Sequence, residues 1–109
     1  MSKSPITTDP NEPILNLPPI HPGEILAEEL AELSISANAL SRALDVPPNR
    51  ITEILKGKRS VTADTALRLA HYFGTSAKFW MNLQMSYDLA LTERDHGKEI
   101  SHAVRPHAA

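Results

Sequence analysis

The stretch from Ser36 to Gly74 constrains the fold of this chain more than any other part of it. The pair Pro47-Pro48 divides the stretch, and apolar residues recur at helical spacing on both sides of the pair. Ser36 and Thr62 are favoured N-cap residues, and a glycine follows each of the last two helical runs. The stretch therefore predicts three short helices joined by tight turns, in a domain that is entirely α-helical.

Apolar residues at the same spacing predict one further helix on each side of this stretch, over about 19–33 and 75–91. The pattern stops towards both ends of the chain. Residues 1–17 are polar and interrupted by proline, so we expect a disordered arm there. Residues 93–109 are polar again and are expected to form a C-terminal extension or tail. The folded domain is thus predicted to occupy residues 18–92.

The charge of the chain is distributed unevenly, although its net value is only −2. Residues 1–36 have a formal charge of −5, residues 37–78 of +4 and residues 79–109 of −1. Because charge attraction is screened beyond about 8–10 Å, a basic middle segment can face phosphate whatever the net charge of the molecule. The distribution favours a nucleic acid as partner, and an ordinary solvated basic surface is the alternative.

The helix that begins at Pro48 has a polar face opposite its apolar side. Ile51, Ile54 and Leu55 are predicted to point inward. Arginine can bridge O6 and N7 of guanine, asparagine can bridge N6 and N7 of adenine, and glutamate can accept from N4 of cytosine. A helix that follows a capped helix and a tight turn is the one that enters the major groove in a helix-turn-helix. The predicted base contacts are Pro48, Asn49, Arg50, Thr52 and Glu53.

Basic and small polar residues lie on both sides of this helix in the sequence. Side chains of these types bind phosphates, which set the register and the affinity of a complex but carry no sequence information. An ordinary basic loop is the alternative interpretation. The predicted phosphate contacts are Ser36, Asn38, Lys56, Lys58, Arg59 and Ser60.

The last predicted helix has more large apolar residues than one contact with a small core requires. Phe79, Trp80, Leu83 and Tyr87 lie on it at helical spacing, and we interpret them as core or dimer contacts rather than as a ligand cage. Two-fold pairing would place two recognition helices about 34 Å apart, which is one turn of DNA. The sequence therefore predicts a homodimer that binds a palindromic DNA duplex.

Several ordered motifs together resemble the HigA/VapI branch of the Xre-type helix-turn-helix antitoxins. The similarity runs from about Pro19 to Pro106. It implies a five-helix, phage-repressor-like fold and a dimer that represses its own operon. It also implies a partner, a small basic RelE-like toxin that cleaves mRNA and is silenced when bound. The motifs are His21-Pro22-Gly23-Glu24, the run from Val46 to Ile51, Gly57-Lys58-Arg59, the run from Thr62 to Ala70, the run from Phe79 to Gln84, and Tyr87-Asp88-Leu89.

Other chemistries have little support in the sequence. Without cysteine, disulfides and thiolate metal sites are excluded, and the histidines of the C-terminal tail lack the spacing of a helical metal-binding pair. The chain has no glycine-rich phosphate loop and no nucleophile elbow, so we expect neither enzyme activity nor a cofactor. No apolar run approaches membrane-spanning length, and we expect a cytoplasmic protein.

Two alternatives remain open at the level of sequence. The chain could be a stand-alone Xre-type transcriptional regulator without a toxin partner, because no toxin-binding surface is recognisable in the sequence. It could also be a protein-interaction module that has lost DNA binding. The acidic face of the first helix and the arm at 1–17 are the candidate toxin-binding segments, because a basic toxin would be attracted to them.

Overall fold

Five α-helices make up the fold of this computed structural model, which describes residues 18–108. The predicted arm at 1–17 lies outside the described residues. No β-strand occurs between residues 18 and 108, and the expected five-helix, all-α architecture is confirmed. The helices are α1 (Pro22–Leu33), α2 (Ala37–Leu44), α3 (Pro48–Leu55), α4 (Ala63–Phe73) and α5 (Ala77–Ala103).

Local capping chemistry sets the helix boundaries. The hydroxyls of Ser36, Thr62 and Ser76 cap α2, α4 and α5, respectively. Each accepts a hydrogen bond from the backbone N–H of the third residue of its helix. Asp45 ends α2 with a φ of 58°. This is the left-handed conformation, which aspartate adopts more readily than most non-glycine residues. Gly57 and Gly74 also have positive φ, 74° and 76°, and terminate α3 and α4. The turns predicted from the sequence are therefore formed by the residues expected to form them.

His21 caps α1 in an arrangement that fixes the start of the fold. Its Nδ1 accepts from the N–H of Gly23 at 2.9 Å, and the Glu24 carboxylate accepts from the His21 N–H at 3.1 Å. This reciprocal pair is a capping box with histidine in place of serine or threonine. The edge of the His21 ring lies against Tyr87 of α5, with 4.8 Å between ring centroids. The cap thus joins the first helix to the last.

A single apolar core holds the helices together. Trp80 is completely buried and donates from its Nε1 to the Thr75 hydroxyl at 3.1 Å, so its only polar atom is satisfied. Where α1 approaches α3, Gly23 lies directly against the carbonyl of Ile54, and a side chain at 23 would collide with that backbone. The buried apolar residues are Leu26, Leu30, Leu40, Leu44, Ile51, Ile54, Val61, Ala66, Leu69 and Trp80.

Helix α5 is longer than the sequence pattern indicated. The apolar periodicity ends near Leu91, but the helix continues to Ala103 and comprises 27 residues. No proline interrupts residues 92–103, and five of these twelve residues (Glu93, Arg94, Lys98, Glu99 and Ala103) are good helix formers, so the helix can continue without apolar periodicity. Most of this segment is exposed, and the expected polar C-terminal extension is thus a projecting helical end. Neither α5 nor any other helix within residues 18–108 is long and apolar enough to cross a membrane.

Candidate nucleic-acid interface

Helix α3 presents its polar face to solvent as predicted. Ile51 and Ile54 are fully buried and fix the rotation of the helix about its axis. Asn49 is exposed and Glu53 partly exposed, and the two lie one helical turn apart on the side opposite the core. Pro48 is exposed at the first helical position, and Thr52 is partly exposed beside the two polar residues. The fold therefore brings four of the five predicted base contacts, Pro48, Asn49, Thr52 and Glu53, together on one accessible face.

Arg50 lies at the edge of this face and is held by α4. Its Nη1 donates to Oδ2 of Asp64 at 2.7 Å, and its side chain is 27% exposed. The same oxygen of Asp64 accepts from Nε of Arg68 at 2.9 Å. The hydrogen bond from Arg68 and then the one from Arg50 hold the pKa of Asp64 below its ordinary value, because both favour the charged carboxylate. Asp64 is therefore ionised throughout the neutral range.

Arg68 connects this ion pair to the turn between α2 and α3. Its Nη1 donates to the carbonyl of Leu44 at 2.8 Å and to that of Asp45 at 3.3 Å. These carbonyls belong to the end of α2, where backbone acceptors lack helical partners. The roles of Asp64 and Arg68 were not predicted from the sequence. Their i, i+4 spacing could have indicated the pair they form with each other, but not its contact with α3 or with the turn.

Glu53 and Arg59 also form an ion pair at the interface. Nε of Arg59 lies 2.8 Å from Oε1 of Glu53, and each side chain is 40% exposed. The pair joins a predicted base contact to a predicted phosphate contact. Exposed ion pairs of this kind contribute little to stability. Glu53 or Arg59 can therefore leave the pair and bind a DNA group instead, at a small cost in free energy.

The loop between α3 and α4 supplies the remaining predicted phosphate contacts. Lys56, Lys58 and Ser60 are exposed on it. The far end of the loop is fixed because the N–H of Val61 donates to Oε1 of Gln84 at 2.7 Å, a buried hydrogen bond. Nε2 of Gln84 in turn donates to Asp88 at 2.9 Å. Gln84 was not identified from the sequence, where a glutamine on α5 carries no signal of a partner far away in the chain.

Two further predicted phosphate contacts lie at the start of α2. Ser36 and Asn38 are both exposed. The Ser36 oxygen accepts from the N–H of Ala39 at 3.0 Å, and the backbone N–H groups of this first turn point out of the helix end. This end is therefore suited to an anion, because the helix dipole adds to the free N–H groups.

His21 is a buried titratable group behind the basic loop. It is 7% exposed, and burial lowers its pKa from the ordinary value. The carboxylates of Asp88 and Glu24 and the backbone of Arg59 act in the opposite direction and offset part of this effect. The neutral ring is therefore the form that the fold requires, since Nδ1 must remain free to accept the N–H of Gly23.

The four residues of α5 predicted as core or dimer contacts fall into different environments. Trp80 is fully buried, Leu83 packs on the core, and Tyr87 is partly covered by His21. Phe79 is 41% exposed and makes an edge-to-face contact with Trp80, with 5.1 Å between ring centroids. Further apolar side chains on the same helix are open to solvent, among them Met81, Met85 and Leu89, which are 36%, 54% and 64% exposed.

The fold and this interface define a helix-turn-helix domain, in which α2 and a tight turn present α3 as a free polar helix. Residues 26–80 match the helix-turn-helix family. Virulence-associated protein I of Dichelobacter nodosus is 55% identical over 80 residues, which are 72% of this chain and 74% of that protein.

Solved structures extend the comparison. A HigA-family addiction module antidote protein from Coxiella burnetii is 55% identical and superimposes with a TM-score of 0.81, covering 84% of this chain and 100% of that one. The Pseudomonas aeruginosa antitoxin HigA, solved with the higBA promoter, is 49% identical, with a TM-score of 0.79 over 83% of this chain and 99% of its own. The chain therefore belongs to the helix-turn-helix family and, within it, to the DNA-binding HigA-type antitoxins. The resemblance noted in the sequence is confirmed.

Proposed function

We propose that this antitoxin is a sequence-specific autorepressor of its own operon and that it neutralises a RelE-like, mRNA-cleaving toxin. The observation that carries the DNA-binding part is the exposure of Asn49 and Glu53 on the capped helix α3, next to a basic loop. The promoter complex of the Pseudomonas aeruginosa relative supports the same conclusion. The protein acts in the cytoplasm by binding, without catalysis, cofactor or metal.

The contacts follow from the chemistry of each side chain. Asn49 is suited to adenine, Arg50 to guanine and Glu53 to cytosine, and each good bidentate contact contributes about 1–3 kcal/mol of base discrimination. Pro48 and Thr52 border them and make apolar or hydroxyl contacts. The phosphate contacts are Ser36, Asn38, Lys56, Lys58, Arg59 and Ser60, which set the register of α3 in the major groove.

A homodimer on a palindromic operator follows from the surface of α5. Met81, Met85 and Leu89 lie four residues apart and form one exposed apolar line along the helix, which we call the α5 stripe. An exposed apolar line on a rigid helix is characteristic of a protein interface. A second copy is the occupant that fits best, because a two-fold axis would place two α3 helices one DNA turn apart.

The toxin-binding surface is proposed from charge. Glu28, Glu29 and Glu32 form an acidic face on α1, on which Glu28 and Glu32 are exposed and Glu29 is partly exposed. α1 buries Gly23, Leu26 and Leu30, with Gly23 against Ile54 of α3, so we place the acidic face and the DNA-binding face of α3 on different surfaces. A small basic ribonuclease would be attracted to such a face, together with the arm at 1–17, while α3 remains available to DNA.

The deciding experiment is to express the tagged chain from its native locus, with the flanking genes intact, and to identify what co-purifies. A stoichiometric small basic protein that cleaves mRNA and arrests growth when expressed alone is the expected result. Recovery of a bare homodimer would instead identify a stand-alone transcriptional regulator.

Two variants separate the functions within the complex. Arg50→Ala should weaken discrimination between operator and scrambled DNA by about tenfold or more, the order of one bidentate base contact, while toxin capture is retained. The triple variant Glu28→Gln, Glu29→Gln, Glu32→Gln should weaken toxin capture while operator binding is retained. If either folded variant loses both functions together, the proposed division of surfaces is wrong.

A further inference from the structure

We propose that Asp64 on α4 determines how sharply the protein discriminates between DNA sequences, by fixing the guanidinium of Arg50 for one acceptor on the operator. The proposal rests on the proposed function of α3 as the base-contacting helix and adds a positioning residue from outside that helix. Asp64 itself is not required to touch DNA.

The position of the Asp64 carboxylate is determined by the backbone of the motif. Arg68 donates one nitrogen to Oδ2 of Asp64 at 2.9 Å and another to the carbonyls of Leu44 and Asp45 at 2.8 and 3.3 Å. A planar guanidinium with two anchored nitrogens has little freedom to rotate. Asp64 is therefore held in a defined place relative to the turn that precedes α3.

Arg50 receives its orientation from this anchored carboxylate. Nη1 of Arg50 donates to Oδ2 of Asp64 at 2.7 Å, and within residues 18–108 this is the hydrogen bond that its side chain makes. A guanidinium has five N–H donors, so four remain while the ion pair is intact. A bidentate contact with O6 and N7 of guanine needs two of them. Arg50 can therefore bind a base without leaving Asp64.

Fixing the guanidinium favours one DNA acceptor over many. An unrestrained arginine can reach any nearby phosphate, as exposed Lys56 and Lys58 can, and so strengthens binding to all sequences alike. An arginine that is held in place gains a good contact only where a matching base lies opposite it. The negative charge of Asp64 also repels phosphate and opposes nonspecific binding. The repulsion acts on every duplex about alike, so the ratio of operator to nonspecific affinity depends on the fixing of Arg50.

The test is a double-mutant cycle on the full chain. The proteins are wild type, Asp64→Asn, Arg50→Ala and the double variant. Asp95→Asn is the matched control, because Asp95 is also an exposed carboxylate paired with an arginine, 3.0 Å from Arg94, but lies far along α5. The probes are a duplex selected by the wild-type protein from a random-sequence library and a scrambled duplex of the same composition. Fluorescence anisotropy gives the dissociation constant for each pair at two salt concentrations.

We expect Asp64→Asn to bind the scrambled duplex more tightly and the selected duplex no more tightly than wild type. The affinity ratio of the two duplexes should fall by about tenfold, the order of one bidentate base contact. In the Arg50→Ala background, Asp64→Asn should leave the ratio unchanged within about twofold, because no guanidinium remains to be positioned. Asp95→Asn should behave as wild type.

Three results would overturn the proposal. The first is an unchanged ratio in Asp64→Asn whose thermal melting shows it to be folded. The second is an equal fall of the ratio in the Arg50→Ala background, which would show that Asp64 acts on discrimination without Arg50. The third is an Arg50→Ala variant with a wild-type ratio. That result would remove Arg50 from the base contacts of the proposed function, and the role of Asp64 with it, whereas the first two leave those contacts in place.

Discussion

Single buried polar residues lie behind the loop between α3 and α4, which carries predicted phosphate contacts. Gln84 accepts the N–H of Val61 at the end of the loop, and His21 lies near Gly57 within it. Neither residue faces DNA, and both reach the loop from other helices. A buried polar group of this kind must be paired, because an unpaired one would cost about 1–3 kcal/mol. The proposed phosphate contacts thus lie on a loop that Gln84 holds at Val61 and that His21 approaches at Gly57.

The stability of the fold should depend on pH through His21. Its pKa is lowered on folding by burial, so the unfolded chain binds a proton more readily than the folded one. The free energy of unfolding should therefore be highest above the unfolded pKa of about 6.5 and decline as the pH falls towards the folded pKa. The slope of the free energy of unfolding can approach about 1.4 kcal/mol per pH unit, the upper limit when the unfolded state binds one more proton than the folded state.

Denaturant unfolding between pH 7.5 and 5.5 checks this dependence. His21→Asn keeps a favoured N-cap acceptor but cannot titrate, so its stability should be lower overall and nearly flat across this range. His71→Asn, which changes an exposed histidine on α4, is the control and should keep the wild-type slope. A wild-type slope in His21→Asn would show that another group is responsible.

At the scale of helices, local sequence explains where each element begins but not how closely two elements approach. The caps at Ser36, Thr62 and Ser76 are evident in the sequence, because a cap bonds within three residues of itself. The contact of Gly23 with the Ile54 carbonyl is different, since it exists only because α1 crosses α3 there. The glycine is needed for space and not for an unusual backbone conformation.

Glycine-to-alanine substitutions at two helical positions should have opposite effects. Gly23→Ala places a methyl group on the Ile54 backbone and should lower the free energy of unfolding by about 1–3 kcal/mol or more. Gly97→Ala meets only the flexible end of the Glu93 side chain and should raise it by up to about 1 kcal/mol through helix propensity. Thermal and urea unfolding measure both, and equal effects of the two substitutions would contradict this account of the α1–α3 contact.

At the scale of the whole molecule, the exposed apolar surface is concentrated on its longest helix. The residues of α5 that face inward, Trp80 and Gln84, complete the core and hold the loop. The α5 stripe lies on the same helix and is directed away from the core. One side of α5 can therefore stabilise the domain, while the other side makes the proposed contact between two copies.

Disrupting the α5 stripe should separate the proposed dimer without unfolding the domain. Met85→Lys combined with Leu89→Lys places two charges on an apolar contact and should weaken self-association by at least about tenfold. Operator binding should fall with it, because each monomer contacts only one half-site. Sedimentation equilibrium measures the first effect and anisotropy the second.

Leu67→Lys is the matched control, since Leu67 is 55% exposed on α4 and lies beside Ala43 and Leu44 of α2. It should leave the self-association unchanged. If the variant with Met85→Lys and Leu89→Lys has the same molecular mass in solution as the wild type, the α5 stripe is not the dimer contact.

The sequence by itself determined the class of fold, the helix starts and the polar face of α3, because these depend on neighbours within one or two helical turns. It also carried the family resemblance, through motifs that are local. It underestimated α5, whose polar end has no apolar periodicity but also no residue that stops a helix.

Only the tertiary structure decided which polar groups of the interface are paired. Arg50 meets Asp64, Arg68 meets the carbonyl of Leu44, and Gln84 meets Val61, over separations of 14, 24 and 23 residues. The burial of His21, and with it the direction of its pKa shift, likewise depends on the packing of α5 against α1. The physical reason is that such contacts are set by how helices cross, and the crossing results from the whole core rather than from any single segment.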